Sequence, residues 1–114
     1  MKYYIYMLRC SDNSLYTGIT TDPARRMQEH FSASAQCAKY TRSHPPQKLE
    51  ALWSCDGRAA ASRLEYRIKT LTKKQKEILA ADGDLLIFAD KLDIEEYVSE
   101  RKEMLTLGEN GKDI

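Results

Sequence analysis

The sequence predicts a small α+β domain, and three observations carry that expectation. Lys2 to Arg9 and Leu15 to Ile19 alternate in character and favour strands, with the polar stretch Ser11-Asp12-Asn13-Ser14 between them. Two stretches, "DPARRMQEHF" and "GRAAASRLEYRIKTL", place apolar residues at helical spacing. A further strand-like run, "KLEALWSC", separates them. At 114 residues the chain has material for one modest core.

The first two runs read as an antiparallel hairpin, because the residues joining them have turn chemistry. Side chains two apart share a face, so Tyr4, Tyr6 and Leu8 point one way and Tyr16 and Gly18 share a face on the partner strand. The expected register brings Tyr6 and Tyr16 together, with Gly18 leaving open space where a side chain would block a ligand from the backbone. Two rings in such a place either fill a core or present two phenols for chemistry.

Asp22 suits a helix N-cap and Pro23 the first helical position. On that helix Arg26 and His30 stand four apart on one face, with Ala24, Met27 and Phe31 as the apolar stripe and Arg25–Glu29 as a surface pair. An arginine beside a titratable histidine makes a phosphate grip, or simply a solvated face. "SASAQCAKYTRSHPPQ" reads as a long loop in which Lys39, Tyr40 and Arg42 interleave cations with a ring, as nucleic-acid contact requires. His44, before two prolines, reads as structural or idle. In the third strand Leu49, Ala51 and Trp53 are expected to face one way, with Trp53 in the core.

Asp56 is the expected cap of the second helix, whose apolar stripe is Ala61, Leu64, Ile68 and Leu71. Glu65 sits on the edge of that stripe. An unpaired polar group near a core costs roughly 2–7 kcal/mol. Lys69, one turn on, is one answer, worth about 0.2–0.5 kcal/mol as a helical pair. A hard divalent cation is the other, since Mg²⁺ takes few carboxylates and completes its shell with water and phosphate oxygens.

Charge divides the chain. Residues 1–76 hold 14 Lys/Arg against 6 Asp/Glu, and residues 77–114 hold 4 against 11, within an overall charge of +1. The basic part suits a polyanion, because neutralised phosphates release counterions. No apolar run approaches the roughly eighteen residues of a membrane span, and no signal peptide is visible. Cys10, Cys37 and Cys55 are too far apart for a metal pair and read as free thiols in a reducing cytosol, so a cytoplasmic protein is expected. Leu86, Ala89, Leu92, Ile94, Tyr97 and Val98 predict amphipathic helices in the acidic segment. Residues 1–82 are therefore expected to form the domain and 83–114 a helical extension. Such a tail either packs on the domain or folds over its basic surface and competes with nucleic acid.

Together these pieces resemble the GIY-YIG nuclease family, whose name describes the triplets seen here as Tyr4-Ile5-Tyr6 and Tyr16-Thr17-Gly18. An arginine eight residues past the glycine (Arg26), a histidine one turn later (His30) and a glutamate on a later helix (Glu65) continue the match, which covers roughly residues 2 to 80. "AKYTRSHPPQKLEALW" and "RLEYRIKTL" look like the small stand-alone bacterial members. The resemblance implies a mainly antiparallel three-stranded sheet flanked by helices, and phosphodiester hydrolysis with one divalent metal, Mg²⁺ or Mn²⁺. It implies that Glu65 ligates the metal, Arg26 holds the scissile phosphate, Tyr6 takes the proton of the attacking water, Tyr16 positions the phosphate or shares that role, and His30 binds phosphate or orients its neighbours. Tyr4 stands where the family name has glycine, Thr17 takes a middle position, and Ile19 stands where some members have lysine. If that lysine assists catalysis in those relatives, this chain relies on Arg25, Lys69 or nothing in its place.

Three function classes follow. One is a metal-dependent endonuclease on branched, damaged or single-stranded DNA, contacting it through Arg25, Lys39, Tyr40, Arg42 and Lys69 and serving repair or recombination. A domain this small would borrow targeting from a protein partner. The second is a nucleic-acid-binding module with weak or no catalysis, for which Ile19 is the argument. The third is a partner-binding protein acting through its acidic tail. Cleavage separates the first two, and salt-sensitive binding separates both from the third.

Overall fold

The hairpin closes on Asn13, which takes a left-handed φ of 70°, a conformation that asparagine tolerates better than most residues. Asp12 Oδ1 accepts hydrogen bonds from the Ser14 amide and hydroxyl and fixes the turn. This computed structural model describes residues 1–32 and 38–100. In chain order they form β1 (Lys2–Cys10), β2 (Leu15–Thr20), α1 (Pro23–Phe31), α2 (Lys39–Ser43), β3 (Pro46–Asp56), α3 (Arg58–Lys69) and α4 (Lys73–Asp82). Two 3₁₀ turns, Leu85–Phe88 and Ile94–Glu96, lead to β4 (Val98–Ser99). The sheet runs β2-β1-β3-β4 with every neighbour antiparallel. The α+β class and antiparallel sheet agree with the sequence, but among the described residues the sheet has four strands rather than three.

Strand alternation divides the buried residues between two faces. Ile5, Met7, Ala51 and Trp53 pack with Ala61, Leu64 and Ile68 of α3, Leu79 of α4, and Leu85, Phe88 and Tyr97 beyond it. On the other face Tyr6, Leu8 and Leu52 pack against Met27 of α1, with Tyr4, Tyr16, Phe31 and Leu49 at the margin. A fully buried Leu, Ile or Met side chain contributes roughly 1.5–3 kcal/mol. The larger cluster beneath α3 therefore carries most of the stability, and the α1 face can hold polar groups.

Several expectations shift in detail. Asp22 caps α1 as its Oδ1 accepts from the Arg25 amide, and Pro23 opens the helix. Asp56 instead ends β3, and Gly57, at φ 92°, takes the cap position of α3 without a side-chain bond. Leu49 leaves the company of Ala51 and Trp53. Met7 faces Ala51 while Leu8 faces Leu49, so Glu50 is the extra residue of a bulge that reverses the alternation. Helix α4 is an element the sequence reading did not contain, although Thr72 and Gln75 form its capping box and Gly83 its left-handed end.

Arg9 ties these pieces together. Its guanidinium meets both carboxylate oxygens of Glu77 at 2.5 Å, Glu50 at 2.9 Å and the Asn13 carbonyl at 3.2 Å. One half-buried arginine thus joins β1, the hairpin turn, the bulge and α4. Beyond α4, the expected amphipathic helices are absent from the described residues. That stretch forms the two 3₁₀ turns and pairs β4 with the outer edge of β3, away from the β2 edge. Leu85, Phe88 and Tyr97 are built into the same core as Trp53, whose indole N–H donates to the Gly83 carbonyl at 3.1 Å. The remainder of the expected extension, residues 101–114, lies outside the described residues. Among the described residues, no helix is long and apolar enough to cross a membrane.

Candidate active site

Tyr6 lies opposite Gly18 and Tyr16 opposite Leu8 in the β1–β2 register. The two tyrosines are therefore diagonal neighbours on one face, as the alternation predicts, with ring centroids 6.2 Å apart. The space at Gly18 is filled by the protein itself. A Cβ there would stand 2.6 Å from Tyr6 Cζ, closer still to its hydroxyl, and 3.1 Å from Tyr16 Cε2. The glycine makes room for the Tyr6 phenol rather than for a ligand at the backbone.

The α1 helix lays His30 against this pair. His30 is 1% exposed, and its ring is 5.6 Å from each tyrosine ring in edge-on arrangements. Its Nε2 is hydrogen-bonded to the Tyr6 hydroxyl at 2.8 Å and its Nδ1 to Thr41 Oγ1 at 2.8 Å. Burial, followed by the Arg26 guanidinium one turn back, holds the imidazole pKa down to about 4. His30 is thus neutral near pH 7, which makes it a hydrogen-bonding and proton-accepting group rather than a standing cation for phosphate.

Burial also pushes the Tyr6 phenol well above the usual tyrosine range, and Tyr16 beside it adds to the effect. Arg26 opposes both as a hydrogen-bond partner of the Tyr6 oxygen, and the Glu65 carboxylate is close enough to add a small upward push. Burial works against the Arg26 charge, but its hydrogen bonds to Glu29 and Tyr6 raise its pKa overall. Arg26 donates to Glu29 at 2.7 Å, and Arg25 to the same carboxylate at 2.8 Å. The sequence reading foresaw only the second of these pairs.

The short helix α2 braces the site from outside. Tyr40 stacks on Tyr16 with centroids 5.6 Å apart and on His44 at 4.0 Å. His44 Nδ1 is hydrogen-bonded to the Tyr40 carbonyl at 2.9 Å. Much of the Tyr40 ring is therefore spent on protein neighbours, and His44 is a structural prop. Thr41, one residue on, is 2% exposed and reaches His30. Sequence reasoning missed Thr41 because its partner is 11 residues away on another helix, and nothing local distinguishes it from a solvated threonine. Lys39 and Arg42 are exposed on the same helix.

Among the described residues, Glu65 makes no hydrogen bond to this cluster, although its charge reaches Tyr6. Its side chain is 23% exposed on α3 and pairs with Lys69 at 3.2 Å. Among the described residues no group of three or more His, Cys, Asp or Glu converges to hold a metal. One carboxylate suits a Mg²⁺ or Mn²⁺ ion held mainly by water and phosphate oxygens, and it does not suit a closed protein cage. Ile19 packs into the core beneath α3, on the face opposite the tyrosines. Cys10 and Cys55 are buried free thiols, whereas Cys37 lies outside the described residues.

A sequence model of the GIY-YIG catalytic domain matches residues 2–78. The chain belongs to the GIY-YIG family, a family of nucleases, as its paired tyrosines, Arg26, His30 and Glu65 indicate. Its relatives are small proteins of similar size. The UPF0213 protein FN1575 of Fusobacterium nucleatum is 47% identical over 87 residues, covering 76% of this chain and 85% of its own. The UPF0213 protein YhbQ of Escherichia coli is 47% identical over 81 residues, covering 71% and 79%. A solution NMR structure of the UPF0213 protein BH0048 from Bacillus halodurans is 44% identical, covers 69% of this chain and 82% of its own, and superposes with a TM-score of 0.45.

Proposed function

We propose that this chain is a divalent-metal-dependent endonuclease that hydrolyses phosphodiester bonds in DNA. The observation that carries the reading is the buried Tyr6 hydroxyl, hydrogen-bonded to the neutral His30 imidazole at 2.8 Å, with Tyr16 alongside and the Arg26 charge close enough to lower the phenol pKa. A purely structural phenol has no need of a neutral histidine and a neighbouring arginine.

A protonated phenol is a poor base by itself. Hydrogen-bonded to His30, Tyr6 can receive the proton of an attacking water while passing its own proton to the imidazole. Water then loses one proton, Tyr6 ends as it began, and His30 takes up the proton only in passing, because burial and Arg26 disfavour its imidazolium until charge develops on the phosphate. Arg26 faces the same oxygen and would hold the scissile phosphate, stabilising the charge that develops on it. Tyr16, braced by Tyr40, would position that phosphate. Glu65 would hold Mg²⁺ or Mn²⁺, whose chemistry is to polarise the phosphate and lower the pKa of a bound water. Lys69 would have to release Glu65 or accompany it.

Arg25 on α1 and Lys39 and Arg42 on α2, the two helices that reach the tyrosine pair through His30 and Tyr40, would contact the nucleic-acid backbone together with Lys69. Tyr40 lies among them and would contribute its edge more than its stacked faces. A surface this small favours branched, damaged or single-stranded DNA over a long sequence-specific site, and repair or recombination is the matching role. Targeting would come from a protein partner, and a cytoplasmic site of action fits free thiols. Ile19, half-buried against the cluster beneath α3, remains the argument for the binding-module alternative.

Purified Tyr6→Phe and Arg26→Ala variants test the scheme against labelled DNA. Each should lose about 10²-fold or more in cleavage rate while keeping a cooperative unfolding transition. Retained cleavage in either variant would sink the assignment.

A further inference from the structure

The chain of contacts from Tyr6 through His30 to Thr41 has a direction, and Ala38 supplies it. Thr41 Oγ1 lies 2.8 Å from His30 Nδ1 and 3.1 Å from the Ala38 carbonyl oxygen. A carbonyl can only accept, and a threonine hydroxyl has one proton to give. That proton goes to Ala38, because otherwise two oxygens would face each other at hydrogen-bond distance with nothing between them. Oγ1 therefore meets Nδ1 as an acceptor, and Nδ1 carries the imidazole proton. A neutral imidazole has only one such proton, so Nε2 presents a lone pair to the Tyr6 hydroxyl 2.8 Å away.

The opposite tautomer fails at both ends. Nε2–H would donate to the Tyr6 oxygen. The phenol proton would then have lost its acceptor on the histidine side. At the other end Nδ1 would need a proton from Thr41, which Ala38 already takes. Tyr6, His30 and Thr41 are each 2% exposed or less, so water is poorly placed to repair either mismatch.

We propose that Thr41 is a positioning residue that fixes His30 in the Nδ1–H tautomer, so that Nε2 is aimed at Tyr6 as a proton acceptor. The consequence for cleavage rests on the nuclease reading above, whereas the tautomer assignment does not. Helix α2 then has two adjacent duties. Tyr40 braces Tyr16, and Thr41 sets the polarity of the proton route from Tyr6.

Long-range ¹H–¹⁵N spectra of the histidines, with His30 assigned through a His30→Gln sample, test the proposal in the unmodified protein. The expected pattern is a protonated Nδ1 and a bare Nε2. A dominant Nε2–H form would overturn the assignment without any variant and whether or not the protein cuts DNA. Thr41→Val keeps the shape and removes the hydroxyl, and Thr41→Ser restores it. The valine variant should shift the spectrum towards Nε2–H and slow cleavage by on the order of tenfold or more, in kcat rather than KM. Serine should recover both. A valine variant with unchanged tautomer, or with altered tautomer and unchanged kcat, refutes the positioning role. If the wild-type protein cuts nothing, the nuclease reading fails and the spectra alone decide the tautomer.

Discussion

Acidification should weaken the fold through His30, by an amount that the site itself sets. The ring is buried and both of its nitrogens are engaged with neutral partners. Its pKa is about 4 in the folded protein against an ordinary 6.5. As pH falls below 6.5 the unfolded chain takes up a proton that the folded chain refuses, so stability is lost. The contribution is fully present above pH 6.5, declines through the interval down to about 4, and levels off below, where both states are protonated. Each pKa unit is worth about 1.4 kcal/mol, so the gap corresponds to a loss of about 3 kcal/mol. His30→Gln provides the comparison, because an amide can still meet Tyr6 and Thr41 but has no proton to bind. Urea unfolding of both proteins at pH 7 and pH 4.5 should show the wild type losing about 2–3 kcal/mol more than the variant. Carboxylates with depressed pKa values, such as Glu77 at about 2, destabilise both proteins alike at low pH and cancel in the difference. Equal losses in the two proteins would refute the buried, neutral histidine.

Two further outcomes follow from the packing. Gly18→Ala places a Cβ 2.6 Å from Tyr6 Cζ and should cost about 1–3 kcal/mol in urea unfolding. Most of the cost should vanish in a Tyr6→Leu background, which leaves only the 3.1 Å approach to Tyr16 Cε2, and its full persistence there would put the strain elsewhere. Truncation after Asp82 removes Leu85, Phe88 and Tyr97 from the core and should abolish cooperative unfolding rather than expose a basic surface. A folded truncated protein that bound DNA more tightly would contradict this packing and restore the autoinhibitory reading of the tail.

The hairpin and the tyrosine pair were legible because strand alternation is strictly local. Given a polar turn at Ser11–Ser14, the spacing of Tyr6, Tyr16 and Gly18 fixes their common face. Helix α1 was equally legible from Asp22 and Pro23. The bulge at Glu50 was not, because nothing in "KLEALW" marks which residue the neighbouring strand will leave unpaired. Helix α4 carried its signal openly in Thr72 and Gln75, yet its apolar residues are too few to make a periodic stripe. The residues beyond Gly83 have helical periodicity, but Asp84 and Asp93 turn their side chains back onto the amides of Leu86 and Glu95 and open tight turns instead. In the candidate site the sequence placed Tyr6 and Tyr16 on one face and Arg26 and His30 on one helix, but not their contacts with one another. That His30 is neutral, that Tyr40 is a brace and that Thr41 faces inward depend on which helix packs where.

The proposed nuclease rests on the tyrosine–histidine–arginine cluster together with Glu65. The most direct measurement incubates the purified protein with labelled single-stranded, duplex and branched DNA in Mg²⁺, Mn²⁺ or EDTA, with Glu65→Ala alongside. A metal-dependent nuclease gives cuts that need the metal, favour non-duplex or branched DNA, and disappear in the variant. Salt-sensitive binding without cleavage, or cleavage that survives Glu65→Ala, would contradict it.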